Sequence, residues 1–215
     1  DKEPWTVQFI EDCQKGSYFL DVGANVGSYT LIAIANDLFP IAFEAAYPSV
    51  ATLCLNLTAN WSMGDSLTPQ SWLERVKVAW VALGTDNKQD FFHLHALHSG
   101  AATHILGGNE TVYFHKQLVD VWRLDDYWNM RLATDPAVPR YLKIDVDGGE
   151  IGVLEGAHDF LRHESTRGVM LEMQLQEEAQ LTQMMADAGF KLVGRFNERK
   201  GQLIKGVCYG RFERM

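Results

Sequence analysis

The stretch Tyr18-Phe-Leu-Asp-Val-Gly-Ala-Asn-Val-Gly27 constrains the fold most, because an apolar run ends on an acid and gives way to two glycines four residues apart. Phe19, Leu20 and Val22 suit a strand buried on both faces, as strands of a parallel sheet are. Gly23 and Gly27 remove side chains where the backbone turns sharply or meets another group closely. The stretch predicts a strand, a tight turn and a helix start that presents free backbone N–H groups. A dinucleotide pyrophosphate would sit on such amides, but its usual pattern is G-x-G-x-x-G. Here the spacing is Gly-x-x-x-Gly, with Asp21 two residues before the first glycine. A carboxylate there repels a pyrophosphate and attracts a ligand with a cationic centre.

The rest of the chain alternates strands and helices, which predicts an α/β fold. Pro4 opens a helix with Trp5, Phe9, Ile10 and Cys13 on one face and Gly16 at its end, a unit over residues 1–16 that packs on or caps the sheet. A nearly all-apolar helix runs from about Ser28 to Asp37. The second strand, Ile41–Glu44, ends in an acid 23 residues after Asp21. In nucleoside-binding α/β folds an acid at that distance hydrogen-bonds ribose hydroxyls, which makes Glu44 the expected ribose ligand. Val50, Leu53 and Leu57 then recur at helical spacing beside Asn56 and Asn60, and residues 61–74 read as a polar loop. Val76–Leu83 reads as a third strand that turns at Gly84-Thr-Asp-Asn87 into Phe91-Phe-His-Leu-His95 as a hairpin.

Five histidines, His93, His95, His98, His104 and His115, crowd the next stretch without metal-ligand spacing, so no metal cluster is predicted. His98 and His104 bracket a segment of small residues, where an imidazole could act as a general base. Residues 128–138 read as a connecting loop. A helix from Glu150 places Ile151, Leu154, His158 and Leu161 on one apolar face, which makes His158 a core residue. A strand at Gly168–Gln174 carries Glu172 inside an apolar run, and Leu181, Met184, Met185 and Ala188 stripe a helix that Gly189 ends. Phe190–Arg195 and Leu203–Phe212 read as a terminal antiparallel hairpin.

The fourth strand breaks the rule that central parallel strands are apolar. In Tyr141-Leu-Lys-Ile-Asp-Val-Asp-Gly-Gly-Glu150 the two-residue period puts Leu142, Ile144 and Val146 on one face and Lys143, Asp145 and Asp147 on the other. Burying three ionisable groups is costly unless they pair or bind something. Two uses remain open together: a structural Lys143–Asp145 ion pair, and a ligand site at the carboxyl end of the strand, where open α/β sheets bind ligands.

A length of 215 residues suits one domain over 1–215. The formal net charge is −9 with Lys and Arg dispersed, so nucleic acid is not expected as a partner. Cys13, Cys54 and Cys208 are odd in number and lack C-x-x-C spacing, which suits a reduced, cytoplasmic setting. No apolar run approaches the roughly 20 residues of a membrane span. No secretory signal is read either, and since the chain opens on Asp1 an upstream segment is left open.

Asp21-Val-Gly-Ala-Asn-Val-Gly27, followed by Tyr29-Thr30, resembles motif I of the class I methyltransferases, and specifically of the FkbM family. Leu142-Lys-Ile-Asp-Val-Asp-Gly-Gly-Glu150 is similar to the family's Leu-Lys-Ile-Asp-Val-Glu-Gly-Ala-Glu, with Asp147 and Gly149 as departures. Phe43-Glu-Ala-Ala-Tyr-Pro48 departs from the family's Phe-Glu-Pro-x-Pro. The resemblance implies a Rossmann-like class I methyltransferase fold: a seven-stranded, mostly parallel sheet with helices on both faces and a C-terminal antiparallel hairpin. It implies S-adenosyl-L-methionine as cofactor, a molecule that carries both an ammonium and a sulfonium. The implied cofactor contacts are Asp21, Gly23, Ala24, Asn25, Val26, Gly27, Thr30, Glu44, Ala45, Leu83 and Asp145. The implied reaction is methyl transfer to a hydroxyl of a sugar, glycoconjugate or natural product, a small-molecule or glycan acceptor. Asp145 would align and deprotonate that hydroxyl, Lys143 and Glu172 would orient it or tune the base, and His98 is a further candidate. A divalent ion bridging Asp145 and a nearby acid is left open and not predicted. A nicotinamide oxidoreductase and a non-catalytic cofactor-binding module are the alternatives from other classes.

Overall fold

The computed structural model describes residues 3–61, 75–94, 105–107, 113, 115–132, 135–199 and 202–215. Pro4 sits in the first turn of helix α1 (Pro4–Asp12), where its missing N–H costs nothing, and Trp5, Phe9 and Ile10 turn inward. Strand β1 (Tyr18–Val22), helix α2 (Ser28–Ala35), β2 (Phe39–Phe43), α3 (Tyr47–Trp61) and β3 (Lys77–Ala79) follow. Next come β4 (Ala82–Leu83), β5 (Lys88–Leu94), β6 (Ile105–Leu106) and β7 (His115–Trp122). Helix α4 (Leu124–Tyr127) then runs on as a π-helical turn at Trp128–Leu132. The chain continues through β8 (Arg140–Ile144), α5 (Glu150–Gly156), α6 (His158–Arg162), β9 (Thr166–Gln174) and α7 (Glu178–Asp187). It closes with β10 (Phe190–Phe196), β11 (Glu198–Arg199), β12 (Gln202–Leu203) and β13 (Val207–Arg214).

Seven strands form one sheet in the order β10-β13-β9-β8-β1-β2-β3. β1 runs parallel to both β2 and β8, and β8 to β9, while β13 lies antiparallel between β9 and β10. The connection order therefore reverses between β1 and β8, and the crevice outside the carboxyl ends of these two strands is where such sheets bind ligands. Register sorts the side chains into two layers. Leu20 lies beside Ile41 and Leu142, and Val22 beside Phe43 and Ile144, in the core shared with α5, α6 and α7. Phe19 and Met170 face the other way into the core under α1 and α2, and Ala42 packs there with Leu53 of α3.

A second sheet, β4-β7-β5-β6, flanks the first. It corrects two expectations. The stretch at Val76–Leu83 is not one strand: Trp80 turns outward, its indole N–H donates to the Ala45 carbonyl at 2.9 Å, and β3 and β4 join different sheets. Nor do β4 and β5 form a hairpin, since both pair with β7, β4 parallel and β5 antiparallel. Two helical expectations also change. The expected loop at 128–138 begins as a π-helical turn with Trp128 buried against Arg140, whose guanidinium lies 4.5 Å from the ring centroid. The expected single helix from Glu150 breaks at Gly156–Ala157, which turns His158 out to solvent rather than into the core. None of the three cysteines is in a disulfide. Among the described residues no helix is long and apolar enough to cross a membrane.

Close backbone approaches explain two glycines. A Cβ on Gly23 would lie 1.8 Å from the Asp145 carbonyl oxygen, and one on Gly156 would lie 2.1 Å from the Gly84 carbonyl oxygen. Gly23→Ala should therefore separate the ends of β1 and β8 and cost more than about 3 kcal/mol in urea denaturation. Gly16→Ala, with φ +78° and nothing within 4 Å, should cost only the roughly 1–2 kcal/mol of left-handed strain.

Candidate active site

Asp21 and Lys143 are paired across β1 and β8, and paired residues of parallel strands project to the same side. The Lys143 Nζ lies 3.3 Å from Asp21 Oδ1 and 3.5 Å from Asp145 Oδ2, and donates to the Gly23 carbonyl at 2.8 Å. Thr30 donates its hydroxyl to Asp21 Oδ2 at 2.6 Å. Burial alone would depress the Lys143 pKa, but the carboxylates of Asp145 and Asp21 outweigh it and hold the ammonium above the ordinary lysine value. Lys143 is thus a permanent cation locked between two strands. It is only 3% exposed, so its part is to hold Asp21 and Asp145 in place.

The turn after β1 is also differently employed than its glycines suggest. The N–H groups of Gly23 and Ala24 both donate to the Phe43 carbonyl at 3.0 Å, and Gly27 N–H donates to the Ala24 carbonyl at 2.9 Å. The amides of Gly23 and Ala24 are thus taken up by the last carbonyl of β2. Asn25, at φ 50°, donates its N–H to Glu44 Oε2 at 2.7 Å, and Ala46 N–H donates to Glu44 Oε1 at 2.8 Å. The Glu44 carboxylate is thereby fixed at the carboxyl end of β2. Burial raises its pKa, while the amides of Ala46 and Asn25 oppose that shift. Asn56 of α3 donates to the Val26 carbonyl at 2.8 Å, so it braces the turn.

A cavity of about 810 Å³ opens over the carboxyl ends of these strands. Of the expected cofactor contacts, Gly23, Ala24, Asn25, Val26, Glu44, Ala45, Leu83 and Asp145 line it. Asp21, Gly27 and Thr30 do not line it: Asp21 is fully buried beneath the floor, where Thr30 and Lys143 hold it, and Gly27 packs on Leu53 of α3. Lys143 and Glu172 line it as well, and His98 lies outside the described residues.

Beyond Asp145 the cavity gathers more acid and hydroxyl groups than sequence reasoning found. Ile144 is paired with Leu171, so Asp145 comes next to Glu172, and Glu172 is paired in turn with Tyr209 of β13. Tyr209 donates its hydroxyl to Glu172 Oε1 at 2.9 Å, while Glu172 Oε2 is buried without a hydrogen-bond partner. Burial first, and then the charge of Asp145, push the Glu172 carboxyl up to about 8. Tyr29 donates to Glu3 on the same wall. Glu150 accepts from Val146 N–H at 3.1 Å and Gly148 N–H at 3.2 Å, which folds the loop after β8 around its carboxylate and takes Asp147 to φ 57°. Nothing in the alternation of Val207-Cys-Tyr-Gly-Arg-Phe212 marks Tyr209, because its role depends on β13 inserting beside β9.

These features fit a sulfonium nucleoside: fixed carboxylate oxygens for ribose at Glu44, apolar walls at Phe43, Val81 and Leu83, and an acidic end at Asp145 and Glu172. Among the described residues no group of three His, Cys, Asp or Glu side chains could hold a metal ion. A family model described as a methyltransferase FkbM domain matches residues 21–192.

The chain belongs to the FkbM methyltransferase family.

As an FkbM methyltransferase it is S-adenosyl-L-methionine-dependent. No curated protein sequence matches it. Among solved structures it is similar to a candidate tRNA methyltransferase of Streptococcus pneumoniae in complex with S-adenosyl-L-methionine, at 15% identity and TM-score 0.53, over 99% of this chain and 72% of that one. A candidate rRNA methylase of Clostridium thermocellum is similar at 9% identity and TM-score 0.56, over 99% and 94%. Magnesium protoporphyrin IX methyltransferase of Synechocystis, with bound S-adenosyl-L-methionine, is similar at 11% identity and TM-score 0.52, over 99% and 77%. These likenesses confirm the Rossmann-like fold. They also correct the exclusion of nucleic acid: the same architecture serves RNA methyltransferases, so a net charge of −9 does not remove RNA from the partners open to this chain. Net charge is a sum over the whole surface and says little about one face of it.

Lys143→Met should strand the buried Asp21 carboxylate and cost about 3–5 kcal/mol in chemical denaturation, with Asp21→Asn/Lys143→Met recovering most of the loss. The raised Glu172 pKa means that the folded chain binds this proton more tightly than the unfolded chain does. Stability should then fall as pH rises from about 4.5 to about 8, and Glu172→Gln should flatten that slope when melting is followed across the window.

Proposed function

We propose that this FkbM protein transfers the methyl group of S-adenosyl-L-methionine to an oxygen, that of a hydroxyl on a sugar, glycoconjugate or natural product. The observation that carries this reading is the meeting of two carboxylates, Asp145 and Glu172, at the acidic end of the cavity. A hydroxyl must lose its proton as it is methylated, and a positioned base of this kind contributes about 10²- to 10⁴-fold. A neutral amine needs no such group to attack. When bound, the cofactor supplies an electrophilic methyl whose bond to sulfur breaks with the electron pair remaining on sulfur.

The chain's own residues divide the remaining tasks. Glu44 holds the ribose, with Asn25 and Ala46 fixing its carboxylate, and Ala45, Leu83 and Ala82 enclose the base. Gly23, Ala24 and Val26 form the floor against which the methionine portion lies. Asp145, held by Lys143, aligns the acceptor hydroxyl with Glu172 beside it. Alignment of this sort can lower a barrier by up to about 7–11 kcal/mol. A second reading takes RNA as the acceptor, since similar structures are described as candidate tRNA and rRNA methyltransferases; a ribose 2′-hydroxyl would present the same O–H chemistry to the same acids.

Incubation with methyl-labelled cofactor and separate panels of sugars, glycolipids, hydroxylated natural products and structured RNA should put label on oxygen in one of the first three panels. Label on an RNA 2′-oxygen would favour the second reading, and label on nitrogen alone would overturn oxygen transfer. Asp145→Asn should lower turnover at saturating cofactor by at least about 10²-fold, with cofactor binding still detectable by calorimetry.

A further inference from the structure

Asp145 and Glu172 stand side by side at the carboxyl ends of β8 and β9, yet only one of them has a cation. Lys143 lies 3.5 Å from Asp145 and is also committed to Asp21 at 3.3 Å. Glu172 has instead the Tyr209 hydroxyl on Oε1 and no hydrogen-bond partner on its buried Oε2. Two ionised carboxylates in contact in a low-dielectric site repel, so such a pair retains a proton and titrates as a unit. Further acids stand around Glu172, while the Arg195 guanidinium, which bears on Cys208, is paired with Glu178. Glu150 of α5 lies on one side, Cys208 sits beside Tyr209 in β13, and Glu3 ahead of α1 adds a further acid near Tyr209.

We propose that Glu172 holds the pair's proton in the free protein, gives it up when the cationic cofactor enters, and then takes the proton of the acceptor hydroxyl. Tyr209 is the positioning residue that aims its carboxylate. The last of these steps rests on the oxygen transfer proposed above, and the first two do not. In that step the acceptor oxygen bonds the methyl carbon as the carbon–sulfur pair returns to sulfur. The O–H electron pair stays on oxygen and the proton ends on Glu172.

The protonation follows from sign. A carboxyl pushed up to about 8 by burial and by Asp145 is mostly neutral at pH 7, and a positive charge brought into the cavity favours its ionised form. The Tyr209 hydrogen bond also favours the ionised form, so its removal drives the carboxyl higher still.

Two measurements test this, one without cofactor. Carboxyl ¹³C NMR of the free protein should show Glu172 titrating well above the ordinary glutamate range, and at higher pH again in Tyr209→Phe. Calorimetric titration of S-adenosyl-L-methionine at pH 7 in buffers of different ionisation enthalpy should show a large fraction of a proton released per cofactor by the wild type. Glu172→Gln should release none. In turnover, Tyr209→Phe should move the rising limb of the kcat profile to higher pH and weaken apparent cofactor binding at pH 7, because more proton must leave, and Glu172→Gln should lower kcat by about 10²- to 10⁴-fold. An ordinary Glu172 titration, or equal proton release by wild type and Glu172→Gln, would overturn the proposal. Intact proton release with label found only on nitrogen would sink oxygen transfer and leave the proton store standing.

Discussion

One ammonium group in the middle of the sheet sets the terms for everything above it. Lys143 is buried on a central strand, and a lone charge there would be ruinous. It is tolerated because Asp21 approaches from β1 and Asp145 from the end of its own strand, and because the Gly23 carbonyl accepts one of its protons. Those contacts tie the two strands together at the point where the connection order reverses. The same junction explains the first glycine, since the Asp145 carbonyl fills the space that a Cβ on Gly23 would need. The turn after β1 and the loop after β8 therefore form one unit, and the cavity floor inherits its rigidity.

The first strand with its turn and the charged strand beside it were readable because the strong signals are local. An apolar run ending on Asp21 and two glycines, and an alternation of Leu142 and Ile144 with Lys143 and Asp145, each carry a period and a chemical contradiction that only a ligand or a partner resolves. Glu44 was readable for the same reason, as an acid at a strand end. The misreadings share a different cause, which is dependence on distant chain. Nothing near Val81 says that β4 will leave the main sheet to lie beside β7, and nothing near His158 says that Gly156 must pack on the Gly84 carbonyl and break the helix. Asp21 was expected among the cofactor contacts and lies beneath the cavity floor, because the face it shares with Lys143 is set by cross-strand pairing. Tyr209 was missed altogether, because its partner Glu172 is brought to it only by sheet register.

The acids in and around the cavity differ in what they are set against. Asp21 and Asp145 balance a fixed cation, Glu44 and Glu150 are spent on backbone amides, and each of these four shapes the chain around it. Glu172 takes the Tyr209 hydroxyl and stands against Asp145, with no cation of its own in contact. A site built this way keeps one proton mobile among groups that are otherwise held, which is the arrangement that acid–base chemistry on a bound ligand requires.

The position of β13 has a consequence for how such a molecule is made. β9 is hydrogen-bonded on one side by β8 and on the other by a strand that arrives only after α7, β10, β11 and β12 have been laid down. During synthesis the parallel half of the sheet can assemble while the far edge of β9 stands open, with the wall that Tyr209 supplies still missing. A chain made only as far as β12 would have the parallel strands of the sheet and would lack the tyrosine that β13 sets beside Glu172.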